Sequence, residues 1–297
     1  MQNGADAIYM GMGNFNARRG AKNFTDEEFE KAVRYCRIRG CKVYVTLNTL
    51  VGDREMEAAV AAARLASQKG ADAILVQDLG LARAIRQALP DIPIHASTQM
   101  SIHNLAGVEA AAEMGLTRAV LARELSLEQI KFISKHASIE TEIFVHGALC
   151  FCHSGQCYMS SLIGRRSGNR GMCAQPCRMQ YSLGGRMDDY PLSLKDNCLV
   201  DRLQEIEDAG VKCVKIEGRM KPAGVHRHRH QDIFQGHKGT APAHSRGDEL
   251  PGAGLLPSGL YPGLFLRGQA GHVRHPSGYG PGFGEDVHSG PPGLCRG

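Results

Sequence analysis

No run of about 18 or more apolar residues occurs in the 297-residue chain, so nothing in it has the length of a membrane-spanning helix. Its opening, Met1-Gln-Asn-Gly-Ala-Asp6, lacks the basic and apolar regions of a secretory signal, which predicts a cytoplasmic protein with no membrane partner. Disulfides are rare in that compartment, so a gathering of cysteines there points to metal binding or redox chemistry rather than to staples. Also missing are the His-Glu-x-x-His of a zinc protease and the Gly-x-Ser-x-Gly elbow of a serine hydrolase. No Gly-rich phosphate loop follows an early strand, which argues against an open doubly wound sheet. Acid is absent as well from Ile143 to Met187, a stretch that holds Arg165, Arg166, Arg170, Arg178 and Arg186. The formal net charge of +5 permits nucleic acid without requiring it. The acid-free stretch is either a solvated basic loop or a setting for an anionic cluster or anionic substrate.

What is present is a serial alternation of strand and helix. Ala7–Met10, Val43–Asn48, Ile74–Gln77, Ile94–Ser97, Ala119–Ala122, Ile143–His146 and the segment reaching Glu217 read as seven short apolar strands. Thr25 with Glu28, and Ser126 with Gln129, are capping boxes that start helices, while Gly40 and Gly70 stop them. Gly4-Ala-Asp-Ala-Ile8 recurs as Gly70-Ala-Asp-Ala-Ile74, each a helix end leading into a strand. The fold predicted is α/β: a TIM-barrel-like (β/α)₈ domain over residues 1–221 with its first strand missing. A Cys-rich insert, about residues 148–200, precedes the last strand. From Pro222 to Gly297 the character changes: 17 of the 36 Gly, 9 of the 13 Pro and 8 of the 13 His fall there. That composition predicts a disordered tail, read as translated out of frame, and it leaves the His-rich piece at 225–231 without a fold to hold a metal.

Of the ten cysteines, Cys36, Cys41 and Cys213 sit in helix or strand patterns and are expected to be buried small hydrophobes. Cys150, Cys157, Cys173, Cys177 and Cys198 belong to the insert. Their runs read Glu142-Ile-Phe-Val-His-Gly-Ala-Leu-Cys150, Ser154-Gly-Gln-Cys157-Tyr-Met-Ser-Ser161, Gly168-Asn-Arg-Gly-Met-Cys-Ala-Gln-Pro-Cys177 and Ser193-Leu-Lys-Asp-Asn-Cys198. With Lys215-Ile-Glu-Gly-Arg-Met-Lys221 and His95-Ala-Ser-Thr-Gln-Met100, these runs resemble the signature of the peptidase U32 family over roughly residues 1–221. Many members of that family are labelled collagenase-like proteases. Others are iron-sulfur proteins that support oxygen-independent hydroxylation of RNA pyrimidines or quinone precursors. The insert looks most like the branch that hydroxylates a cytidine of 23S ribosomal RNA.

The resemblance implies a [4Fe-4S] cluster held by Cys150, Cys157, Cys173 and Cys198, with Cys177 as alternate for Cys173 and Cys152 a bystander. The spacing, with six, fifteen and twenty-four residues between successive members, is not the paired spacing of a zinc ribbon and suits single thiolates reaching separate irons. The resemblance also implies prephenate as hydroxyl donor and RNA, ribosomal or transfer, as partner. Polar residues follow the strand cores at Asn48, Gln77, His95, Ser97, Gln99, Arg123, Glu124, His146, Glu217 and Arg219, where barrel chemistry is sited. Arg123 and Arg219 are candidate clamps for a small carboxylate co-substrate. Glu124, Glu217 and His146 are candidate proton-transfer groups, and Tyr9 or Tyr158 a candidate stacking platform for an extruded base. A peptidase using Cys150 with His146 is the alternative, but it leaves the other thiols without a role. A non-catalytic RNA-binding module is the third class, using the Arg-rich insert alone. Oligomeric state is not legible.

Overall fold

The computed structural model describes residues 5–17 and 23–217, so Arg219 and the tail expected at 222–297 lie outside the described residues. Six strands alternate with five helices: β1 (Ala7–Met10), α1 (Asp26–Arg37), β2 (Lys42–Leu47), α2 (Asp53–Gln68), β3 (Ala73–Val76), α3 (Leu79–Ala88), β4 (Ile94–Ala96), α4 (Leu105–Glu113), β5 (Arg118–Val120), α5 (Leu127–His136) and β6 (Glu140–Gly147). An insert follows, with α6 (Met159–Gly164), a hairpin of β7 (Tyr181–Leu183) and β8 (Arg186–Asp189), and β9 (Asn197–Cys198). Then come α7 (Leu203–Asp208) and β10 (Cys213–Ile216). The sheet order is β1-β2-β3-β4-β5-β6-β10, with β9 added to β6. All of the first seven pair in parallel, Tyr44 standing opposite Ala73 in the β2–β3 ladder, as the serial architecture requires. The α/β barrel-like fold and the insert between its last two strands are therefore present. Helices α3 and α4 and all elements within the insert add to what the sequence had indicated.

Local chemistry places the helix starts. The Thr25 hydroxyl accepts from Glu28 N at 3.2 Å while the Glu28 carboxylate accepts from Thr25 N at 3.1 Å. Ser126 and Gln129 do the same for α5. Asp78 caps α3 by accepting from Leu81 N at 2.8 Å, and its second oxygen takes Val51 N at 3.2 Å, tying that cap to the loop after β2. Gly40 at φ +66° and Gly70 at φ +93° adopt the left-handed conformation that ends α1 and α2.

The two faces of the curled sheet differ sharply. Outward residues such as Val43, Val45, Ile74, Val76 and Ile94 pack against Phe29, Ala59, Ala63, Leu81 and Ile85 of the helices and form the main core. Inward residues include Tyr44, Ala73 and Leu75 with Ala7 and Tyr9 against them. On this side lie Arg118, Glu142 and Lys215. Glu142, 3% exposed, accepts from Lys215 Nζ at 2.8 Å and Arg118 Nη1 at 3.2 Å, and Arg118 also reaches Glu140 at 2.6 Å. Lys215 Nζ stands 4.4 Å from the Tyr9 ring centroid, and the Tyr44 ring meets His95 edge-on at 5.0 Å. The sheet curls until one side chain spans its two outer strands: the Tyr9 hydroxyl of β1 lies 3.4 Å from Ile216 O and 3.2 Å from the Glu217 carboxylate.

Cys36 and Cys41 are buried as expected, and burial raises both thiols. Cys213 is not a simple core hydrophobe: it is partly exposed and lies among the inward charges, where burial and the Glu142 carboxylate push its thiol up to about 12.

Burial alone would raise the Glu142 pKa, but Lys215 and Arg118 outweigh it and hold the carboxyl down to about 2. That depression contributes stability above the ordinary value of 4.5, lost as pH falls through about 2. Burial and the nearby Arg118 push His95 from 6.5 down to about 4, so protons favour the unfolded chain across that window too. Both groups act in one direction, and the melting temperature should fall steadily from about pH 6.5 downward. At neutral pH, Glu142→Gln is expected to cost about 3–5 kcal/mol in urea melts, because it leaves two buried cations under-compensated. Glu142→Gln with Lys215→Met should recover most of that loss. A single-variant cost below about 1 kcal/mol would show that the pair is not a structural requirement.

Candidate functional site

The C-terminal ends of the parallel strands form one face of the domain, and the insert lies across it. Its attachments run from strand to strand. Asn169 accepts from Leu50 N at 2.9 Å and donates to Gln77 Oε1 at 2.6 Å, bridging the ends of β2 and β3. Beside it Arg170 forks onto Glu55 at 2.6 and 2.7 Å. Glu55 also takes Gly52 N at 3.0 Å, so one carboxylate caps α2 and holds the insert, and these bonds lower its pKa to about 2. After β4, Ser101 donates to Ser154 O at 3.2 Å, Gln156 donates to Gln99 O at 3.4 Å, and Gly155 sits against Gln99 where an added Cβ would come to 2.9 Å. Gly155 has φ +81°, so both space and backbone require glycine there.

At the end of β5, Arg123 donates to Ala148 O at 2.8 Å, to Cys150 Sγ at 3.1 Å and to the Ser154 hydroxyl. The proposed carboxylate clamp is thus a tie between barrel and insert. Its neighbour Glu124 faces His153 Nδ1 at 3.9 Å. Arg178 gathers the insert internally, donating to Ser193 Oγ at 2.9 Å, to Leu149 O at 2.8 Å and to Leu194 O. Asn197 donates to Phe144 O at 2.9 Å and fixes the return of the insert onto β6.

Cys150 and Cys173 are exposed, while Cys152, Cys157, Cys177 and Cys198 are partly covered. Cys173 Sγ accepts from Gln175 N at 3.3 Å and lies 3.8 Å from the Ser160 hydroxyl. Burial raises the Cys177 thiol, and Cys173 and Cys150 are near enough to raise it further. Gly168 has Cys157 O and the Cys173 Cβ on its open side, at 3.6 and 3.7 Å from where a Cβ would stand. Cys198 pairs with His146 across β6 and β9. His146 is 2% exposed, and its carbonyl accepts from Glu217 N at 2.8 Å. Among the described residues, no three Cys, His, Asp or Glu side chains stand at the spacing of a metal site. Arg123 Nη2 meets the Cys150 sulfur and Gln175 N the Cys173 sulfur, and thiols of this kind suit a thiolate-bound group chemically, although the site as folded is not closed around one.

Other strand-end residues are structural as placed. Asn48 donates to Ser97 Oγ at 3.1 Å and accepts from Ala17 N at 3.0 Å. His95 lies within the barrel at the middle of β4 rather than at its end. Tyr9 has Lys215 against its ring, whereas Tyr158 is 70% exposed. Sequence reading passed over the Asn169–Arg170 strap and the inward charges. The second had a signal: Glu140, Glu142, Phe144 and His146 alternate along one strand, as do Cys213, Lys215 and Glu217 along another.

Fold and site define an α/β barrel-like protein with a thiol-bearing insert laid over its strand ends. The chain belongs to peptidase family U32, which it matches over residues 1–231. It is 42% identical over 224 residues to a 23S rRNA 5-hydroxycytidine synthase of Escherichia coli, covering 73% of this chain and 34% of that protein. It is 34% identical to tRNA hydroxylation protein P1 of Bacillus subtilis, covering 73% of this chain and 54% of that protein. It is also 33% identical to a collagenase of Porphyromonas gingivalis, covering 73% and 57%. The chain thus spans between a third and somewhat over half the length of these relatives.

Arg170→Gln is expected to loosen the strap and to raise the alkylation rate of Cys157 in reduced protein several-fold, followed by mass spectrometry. The stability cost should stay below about 1 kcal/mol, since the Arg170 and Glu55 side chains are 39% and 38% exposed. Arg170→Lys should restore protection only in part, because an ammonium cannot make the two-pronged contact. Equal alkylation in all three proteins would mean that the remaining ties hold the insert unaided.

Proposed function

We propose that the protein takes part in oxygen-independent hydroxylation of an RNA pyrimidine, with a cytidine of 23S ribosomal RNA as the target. The observation that carries this reading is the insert: one Arg-bearing segment, free of acid as far as Met187, sets its thiols over strand ends that hold Arg123, Glu124, His146 and Glu217. Similarity to proteins named for rRNA and tRNA hydroxylation supports RNA as the substrate class. A [4Fe-4S] cluster on Cys150, Cys157, Cys173 and Cys198, with Cys177 as the alternate, is the cofactor proposed; when bound it would supply one-electron redox chemistry. Prephenate is the donor that the family resemblance implies, its carboxylates suited to cationic side chains.

In this reading each residue has a limited task. Arg123 orients the Cys150 loop through its bonds to Ala148 O and to the Cys150 sulfur. Glu217, held against the Tyr9 hydroxyl, and Glu124, at the edge of the insert, are the groups that would move protons. His146, at the floor of the insert, positions β9 and Cys198 through its backbone pairing.

The collagenase relative keeps a thiol peptidase as the second reading. Mass spectrometry of ribosomal RNA separates the two. A strain deleted for the gene should lose one hydroxylated cytidine, regained with the intact gene but not with Cys157→Ala. Anaerobically purified protein should contain iron and sulfide in equal amounts. Retention of the modification in the deletion strain, with peptide cleavage by iron-free protein, would establish the peptidase instead.

A further inference from the structure

Seven of the thirteen large apolar side chains exposed among the described residues belong to the insert, including Phe151, Tyr158, Leu162 and Ile163. They are most concentrated on the short turn of α6. Tyr158 is 70% exposed, Leu162 84% and Ile163 67%, and Arg165 and Arg166, directly after the turn, are exposed too. Tyr158 and Leu162 are four residues apart, so an aromatic and an aliphatic side chain share one side of the turn, and Arg165 follows at its left-handed end. The opposite side is anchored. Ser160, 3% exposed, accepts from Ala174 N at 3.1 Å through its hydroxyl, and its carbonyl takes Arg166 N at 3.1 Å. Downstream, the Asn169–Arg170 strap fixes the same segment to β2, α2 and β3. A turn held this firmly on one side, with bulky side chains presented on the other, is built to meet something.

We propose that the α6 turn is a docking surface for single-stranded RNA, with bases stacked on Tyr158 beside Leu162 and phosphates against Arg165 and Arg166. The inference rests on the RNA-hydroxylation reading and deepens it by placing the substrate. Charge chooses the occupant: no Asp or Glu occurs from Ile143 to Met187, so the surface complements a polyanion. An aromatic platform beside arginines is the combination that holds unpaired nucleotides, whereas duplex RNA keeps its base faces stacked inside. Tyr9 does not offer the same platform, since Lys215 lies 4.4 Å from its ring centroid and its hydroxyl meets Glu217. Tyr158 adjoins Cys157, so RNA stacked there would lie beside the thiols.

The test is fluorescence anisotropy with the whole chain, a labelled single-stranded pyrimidine RNA of about 12 nucleotides and its duplex, across about 50–200 mM salt. The single strand should bind more tightly than the duplex. Tyr158→Ala should weaken single-strand binding about 5- to 100-fold while Tyr158→Phe retains it. Arg165→Ser and Arg166→Ser should each flatten the plot of log affinity against log salt by about 0.7. Thermal melts should be unchanged for the Tyr158 and Arg165 variants, whose side chains are exposed, while Arg166→Ser also removes the Nε donation to Met172 O at 3.1 Å and should lower the melting temperature only slightly. Wild-type affinity and salt slope in every variant would overturn this surface while leaving the ribosomal RNA result to judge the reaction. Unchanged RNA binding, with loss of self-association on sizing columns in Tyr158→Ala and Leu162→Ser, would overturn it in favour of a protein contact.

Discussion

A sheet that curls until a tyrosine on its first strand reaches its last strand withdraws its inward side chains from bulk water, and any charge placed there needs a partner. Glu142 answers that constraint for Arg118 and Lys215 together. Its strand is the hub of the domain: β6 pairs with β5 on one side, with β10 on the other, and with β9 returning from the insert. A residue that binds β5 through Arg118 and β10 through Lys215 therefore fixes the spacing of three neighbouring strands. Burial opposes the charge on Glu142, and Lys215 and Arg118 together outweigh it.

The same strand carries the constraint to the chemical end of the barrel. Along β6 the inward positions change from charge at Glu142 to the Phe144 ring and then His146, beyond which the chain leaves the barrel as the insert. The insert returns through β9 opposite His146, so its two ends are anchored at one place while its middle extends over the ends of β2, β3 and β4. Its thiols are thus positioned by bonds from several strand ends at once. This division of labour, a rigid sheet below and a polar strap above, suits a site that must present reactive sulfur to a large substrate.

Much of this was legible in residue order. The capping boxes at Thr25 and Ser126, the stops at Gly40 and Gly70, and all seven parallel strands follow from patterns a few residues long, and the structure places them where the patterns do. The motif runs around Cys150, Cys157, Cys173 and Cys198 were sufficient to indicate the family. Less legible were the roles of single polar residues. By residue order His95 groups with the polar strand-end residues, yet β4 is only three residues long and His95 is its centre. Arg123 read as free to clamp a ligand, and its guanidinium is instead engaged by the insert.

What the sequence determined by itself is whatever acts over one or two turns of chain: where helices begin and stop, which segments are strands, and that the thiols share one insert, most of it free of acid. Only the tertiary structure decided which side chains meet. Asn169 and Gln77 are 92 residues apart and Arg170 and Glu55 are 115 apart, and no periodicity or cap links such positions. They come together because the curled sheet brings separate strand ends onto one face. Which thiol lies beside which, and which arginine is engaged, is set by that through-space packing rather than by order along the chain.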